Sequence, residues 1–255
     1  MRGFVAALRF LTVLPLAGSY GAGEKDLAAS PAYFPLVGLL LGAAAAGAAC
    51  ALSLAAAPML TAALLVGLLL AFSGALHMDG LSDTADGFLS SRPRERVLEI
   101  MKDSHVGAMG VIAIVLVLLV KFAALATVAG HDVPVLLWPA VLLMPLAGRC
   151  VMVLHMALLP GARAGGLGAA FLKRRPWAAA AWSMAVLAAA CAALFGAAGL
   201  AIAGAVLAVT LLQAGWSWRK IGGSTGDTFG AACEVAELVP VVMLALWPLS
   251  PARWL

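Results

Sequence analysis

Seven stretches of almost unbroken apolar sequence, at about 32–54, 59–77, 108–129, 134–158, 177–198, 200–216 and 235–249, constrain this chain more than any other feature. As helices, most are long enough to cross a hydrocarbon core of about 30 Å. In lipid, every backbone N–H and C=O must be satisfied inside the protein, so such stretches take the form of helices. The expected fold is therefore all-α, a polytopic integral membrane bundle of about seven transmembrane helices. A composition 64% hydrophobic and 11% charged, with a mean hydropathy of +1.05, excludes an ordinary soluble domain. The stretches leave no room for a separate soluble unit, so residues 1–255 read as one membrane-embedded domain. Pro58 and Pro134 fall between stretches and Pro176 just before one, where a missing backbone donor costs little.

The basic residues set the orientation. Thirteen of the sixteen lie in segments 1–31, 78–107, 159–176 and 217–234, all on one side if there are seven spans. The short connections on the other side carry none, so the positive-inside rule makes the basic side cytoplasmic. Of the rest, Lys121 and Arg149 fall inside spans and Arg253 in the outer tail. Spread this way, a net charge of +4 reads as membrane orientation and not as a nucleic-acid surface. Residues 1–31 read as an interfacial segment, because Arg9 and Pro15 interrupt what a signal peptide would keep apolar. Cys50, Cys150, Cys191 and Cys233 show no metal or redox spacing and read as small packing residues. Gly38 and Gly42 form a GxxxG helix-packing surface.

Segments 78–107 and 217–234 are cytoplasmic motif loops with more specific content. From His77 to Gly87, Asp79, Asp83 and Asp86 stand at i, i+4 and i+7, within an arc of roughly 60° on a helix. Three carboxylates on one stripe repel unless a cation neutralises them. Hard oxygen ligands suit Mg²⁺, or Mn²⁺, bridging carboxylates to substrate phosphates. The alternative is a solvated acidic turn with Gly80 and Gly87 as turn residues. Downstream, Arg92, Arg94 and Arg96 read as positive-inside charge, while Lys102 and Asp103 are candidates for catalytic contact and His105 for a base or phosphate contact.

In the second loop, Gly222, Gly223, Ser224, Thr225 and Gly226 form a glycine-rich turn ahead of a helix, a pattern whose N–H groups can cradle phosphate. Asp227 and Glu234 are seven apart, so one helical face can present both. Lys121 and Arg149, charged inside spans, must face the bundle interior or a wet cavity. For each the readings are a substrate-cavity group or a mutual or acid-paired lock between helices, and Lys121, near the outer third of its span, can instead snorkel.

Taken together, Phe10–Pro15, Tyr33–Gly38, His77–Gly87, Glu99–Ser104 and Gly222–Ala232 resemble the cobalamin synthase family, nearly end to end. The resemblance implies an adenosylcobinamide-GDP ribazoletransferase, a phosphotransferase of vitamin B12 nucleotide-loop assembly in a bacterial inner membrane. There a ribose hydroxyl of α-ribazole, or of its 5′-phosphate, attacks the phosphorus nearest the corrinoid, and GMP leaves. Asp79, Asp83 and Asp86 would then ligate metal, Asp227 or Glu234 would complete the site or act as base, and Lys102 and the Gly222–Gly226 turn would hold phosphate. His105 stands where a basic residue fits the pattern. Beyond these substrates and membrane lipid, a homo-oligomer and association with other nucleotide-loop assembly enzymes are left open. CDP-alcohol phosphotransferases and intramembrane prenyltransferases, which also bind metal-diphosphate at a membrane boundary, are the nearest rivals. An ion-coupled transporter is a more distant one, since it would place acids near the midplane.

Overall fold

A computed structural model describes residues 1–130, 136–163, 171 and 175–246. Lys173, Arg174, Arg253, the expected span start at Pro134 and the expected span end at 247–249 lie outside the described residues. The described chain is helical. The N-terminal segment begins with α1 (Arg2–Leu11), α2 (Glu24–Ala29) and a 3₁₀ turn (Ser30–Tyr33). The bundle follows as α3 (Phe34–Ser53), α4 (Pro58–Ser73), α5 (Leu76–Phe88), α6 (Arg94–Ile100), α7 (Ala108–Ala129), α8 (Leu137–Leu158), α9 (Trp177–Ile221) and α10 (Gly226–Leu246).

Helix α1 is amphipathic, as an interfacial helix should be. It buries Gly3, Ala6, Ala7 and Leu11 and leaves Arg2 outside. Helix α8 is the hub, buried almost throughout its length. Gly38 and Gly42 bring α3 onto it, since a Cβ at Gly38 would stand 2.9 Å from Leu146 Cα and one at Gly42 would strike the Leu142 carbonyl. The GxxxG pattern is thus a close-packing surface, as the spacing predicts.

Among the described residues five helices are long and apolar enough to cross a membrane, and the α4–α5 pair, bent by 90°, adds a sixth. Helix α9 supplies one more, because its 45 residues are broken at Gly196 (φ 57°, ψ −135°). A Cβ on Gly199 would run into the Cys191 carbonyl, whereas residues eight apart in a straight helix are separated by about 12 Å. The helix therefore doubles back at Gly196, which needs a conformation that side chains disfavour. Both its ends sit at one end of the bundle: Ala180 packs with Met156 and Ala157, while Ile221 joins Ala162 through Arg94. Predicted stretches 177–198 and 200–216 are the two arms of this hairpin. Two boundaries differ from expectation. The last span starts at Gly226 rather than near 235, and segment 78–107 is mostly helical, because the motif residues themselves pack against the bundle.

Candidate active site

Helix α5 is aimed by a sharp corner. Gly74 and Ala75 both adopt left-handed backbone (φ 58° each), which turns α5 through 90° from α4 and lays it across the bundle end. Ala75 is the only non-glycine residue with positive φ among the described residues, a conformation that concentrates at functional corners. Met78, Leu81, Ala85 and Phe88 form the buried face of α5. On the opposite face Asp79 is exposed and Asp83 and Asp86 are half-buried.

Two glycines bring α5 onto the start of α10. A Cβ on Gly80 would lie 2.8 Å from the Asp227 carbonyl oxygen, and one on Gly230 would lie 3.0 Å from that of His77. The helices thus cross almost backbone to backbone, and the crossing joins the two sequence motifs. Asp83 lies within electrostatic reach of Asp79, Asp227, Asp86 and Arg163. Asp227 likewise feels Asp79.

Asp86 shares the stripe but is already engaged within the protein. Its two carboxylate oxygens accept the N–H groups of Gly107 at 2.8 Å and Gly110 at 2.9 Å, tying α5 to the start of α7. Free N–H groups at a helix start favour such an anionic partner. Asp79, Asp83 and Asp227 are the carboxylates left facing the crossing. Among the described residues no three metal-type side chains converge closely enough to hold an ion by themselves. A cation here would need oxygens from a substrate, as Mg²⁺ sites with few protein ligands do.

The glycine-rich turn is less open than its composition suggests. Gly222 (φ 67°) closes α9 and donates its N–H to Trp218 O. The Ser224 N–H donates to Pro160 O at 2.8 Å and its carbonyl accepts from Ala162 at 2.9 Å, as part of a bridge between Gly161 and Ser224. The Thr225 N–H donates to Thr228 Oγ1 at 2.9 Å. These N–H groups are spent inside the protein, so the expected cradle made of the whole turn is not formed. The turn instead positions Asp227, whose Oδ2 accepts from Thr225 Oγ1 at 3.2 Å and from Arg163 Nη2 at 3.1 Å.

Glu234 and Arg149, expected at the substrate, are elsewhere. Glu234 shares a face with Asp227 but lies about 10 Å farther along the helix axis. There Lys121 Nζ donates to Glu234 Oε2 at 2.6 Å and Glu237 Oε2 at 2.7 Å, and Arg149 Nη1 pairs with Glu237 Oε1. All four side chains are buried, and two cations balance two carboxylates. The physical reason is that no single charge is tolerated at this depth, so the four are held as a lock between α7, α8 and α10.

Lys102, Asp103 and His105 lie exposed in the turn after α6. Asp103 Oδ1 accepts the His105 backbone N–H at 3.0 Å and meets its Nδ1 at 2.6 Å. The hydrogen bonds from His105 lower the Asp103 carboxyl below its ordinary range, and Asp103 raises the His105 imidazole above its own. This pair is satisfied locally and does not join the carboxylates at the crossing.

Arg163 is the residue that sequence reasoning missed. The bridge between Gly161 and Ser224 carries it to Asp227, 64 positions away, and no local motif marks it. Below the buried face of α5, a cavity of about 180 Å³ opens among Leu81, Phe88, Ala113, His155 and Trp216, on the side away from the aspartates.

Comparisons with known proteins cover nearly the whole chain. The model of the cobalamin-5-phosphate synthase family matches residues 3–245. A Desulforamulus reducens protein named adenosylcobinamide-GDP ribazoletransferase is 43% identical over 241 residues, 94% of each chain. A protein of the same name from Geotalea daltonii is 38% identical over 250 residues, covering 96% of this chain and 97% of that one. Another, from Pseudomonas aeruginosa, is 40% identical over 251 residues, 96% and 98% of the two chains. No solved structure matches.

Proposed function

The chain belongs to the cobalamin-5-phosphate synthase family, and we propose from that membership that it is an adenosylcobinamide-GDP ribazoletransferase working at the crossing of α5 and α10. It is a multi-pass membrane transferase of cobalamin biosynthesis. It moves the adenosylcobinamide phosphate of adenosylcobinamide-GDP to a hydroxyl of α-ribazole or its 5′-phosphate. The new bond joins that hydroxyl oxygen to the phosphorus nearest the corrinoid; the bond to the guanosine phosphate breaks and GMP leaves. The site faces the cytoplasm of a bacterial inner membrane, a placement supported by the basic residues at its end of the bundle.

The observation that carries the assignment of the site is the backbone contact of Gly80 with Asp227, which sets the aspartate helix against the start of α10. A divalent cation of the Mg²⁺ type, held by Asp79, Asp83 and Asp227 together with the substrate's diphosphate oxygens, would neutralise the charge that develops on the leaving phosphate. The chain's own groups do the rest. Asp227 Oδ2 is fixed by Thr225 and Arg163, while Oδ1 carries no hydrogen bond among the described residues. That leaves Oδ1 to meet the cation or to take the attacking hydroxyl's proton. Asp86 keeps α5 in place by anchoring it to α7. Neutralising Asp83 with Asp83→Asn is expected to raise the Mg²⁺ concentration needed for half-maximal turnover in detergent by about tenfold to a hundredfold. Unchanged Mg²⁺ dependence would remove Asp83 from the site.

A further inference from the structure

We propose that Arg163 binds the diphosphate of the donor substrate, with Asp227 and the Pro160–Ala162 bridge holding its guanidinium in place. The proposal rests on the transferase reading above and adds a residue to it.

A guanidinium presents five N–H donors in a rigid fork suited to phosphate oxygens. In Arg163 only one edge is used. Nη2 donates to Asp227 Oδ2 at 3.1 Å, and Nη1 is enclosed without a hydrogen-bond partner among the described residues. A charged donor shut away from water and left unpaired is unfavourable, and such groups in native proteins call for a ligand or a water. A plain counter-ion would use both edges on its carboxylate, the usual bidentate arrangement. Here Arg163 and the Thr225 hydroxyl both meet Asp227 Oδ2, and Oδ1 takes no donor among the described residues, so the pair is single-pointed.

The side chain is also preorganised. The backbone just before it is pinned on two sides, by Ser224 N–H on Pro160 O at 2.8 Å and by Arg94 Nη2 on Ala162 O at 2.7 Å. Fixing the base of a long side chain before binding lowers the entropy lost on binding. Other described cations are committed or displaced. Lys121 and Arg149 are locked to Glu234 and Glu237, Arg94 holds the Ala162 and Ile221 carbonyls, and His105 is paired with Asp103. A diphosphate brought to Asp79, Asp83 and Asp227 adds negative charge to carboxylates that already repel, so a fixed cation beside them serves binding directly.

The test uses full-length protein in detergent and inorganic pyrophosphate with Mg²⁺ as the probe, followed by titration calorimetry. Arg163→Gln is expected to weaken pyrophosphate binding by about tenfold or more, and Arg163→Lys to recover part of the loss. Donor KM should rise while the KM for α-ribazole stays near that of the wild type. Asp227→Asn and the Arg163→Gln/Asp227→Asn double variant separate a ligand role from mere neutralisation of Asp227. If Arg163 binds phosphate, the double variant binds pyrophosphate more weakly than Asp227→Asn alone. Equal binding by those two variants, or wild-type binding by Arg163→Gln, overturns the proposal. So does a thermal midpoint that falls in both Arg163 variants and returns in the double variant. Failure of the transferase reading is a separate result: wild-type protein that binds pyrophosphate but does not turn over adenosylcobinamide-GDP with α-ribazole.

Discussion

Gly80 on α5 and Asp227 on α10 touch through their backbones, so the two motif helices cross at a distance that only a missing side chain permits. Each helix alone carries an incomplete set of carboxylates. Their crossing brings together carboxylates from segments about 150 residues apart.

Gly80→Ala tests this directly. The added Cβ, 2.8 Å from a backbone oxygen, forces α5 and α10 apart, because neither helix backbone can give way locally. Small misplacements of reacting groups can cost about a hundredfold in rate. Turnover is expected to fall by that order while the protein still elutes as a monodisperse species in detergent. Wild-type kcat/KM in Gly80→Ala would mean the crossing does not set the site.

The Lys121 lock predicts a stability effect with a built-in rescue. Lys121→Met leaves Glu234 and Glu237 with one cation fewer at full burial, a change expected to destabilise by about 3–5 kcal/mol. Adding Glu234→Gln restores the charge balance and should return most of the lost thermal midpoint. If the double variant is as unstable as the single one, the loss comes from packing and not from charge.

The Asp103–His105 pair predicts a local titration. Asp103 raises the His105 pKa in the folded protein, so whatever this contact contributes is fully present below the ordinary histidine pKa. It is lost as pH rises through the raised folded value. Histidine NMR should show His105 titrating above the usual histidine range, and Asp103→Asn should bring it back. Because the pair is fully exposed and apart from the crossing, His105→Ala should leave turnover within about twofold of wild type.

The turn at Gly196 predicts the topology. Ala197 and Ser91 are both exposed, at opposite ends of the bundle. In a Cys50→Ser background, an impermeant maleimide added to intact cells should label Ala197→Cys and spare Ser91→Cys. Labelling of both positions from outside would contradict the hairpin in α9.

Much of this protein is written locally in its sequence. Spans follow from runs of apolar residues, and the Asp79–Asp83 face from a 3.6-residue period. Each depends on neighbours within a few turns. The GxxxG contact of Gly38 and Gly42 was legible for the same reason.

What only the tertiary structure decided is how the charges pair. Glu234 shares a helical face with Asp227, yet periodicity is blind to depth, and one level in it meets Lys121, 113 positions away. Arg149 reaches Glu237 across 88 positions, and Arg163 reaches Asp227 across 64. Burial makes an unpaired charge costly, so each buried ion takes whichever partner the packing brings near it, at a sequence separation no local pattern records. The sequence determined that acidic residues gather at the ends of apolar spans; the packing of α5 on α10 determined which of them face one another.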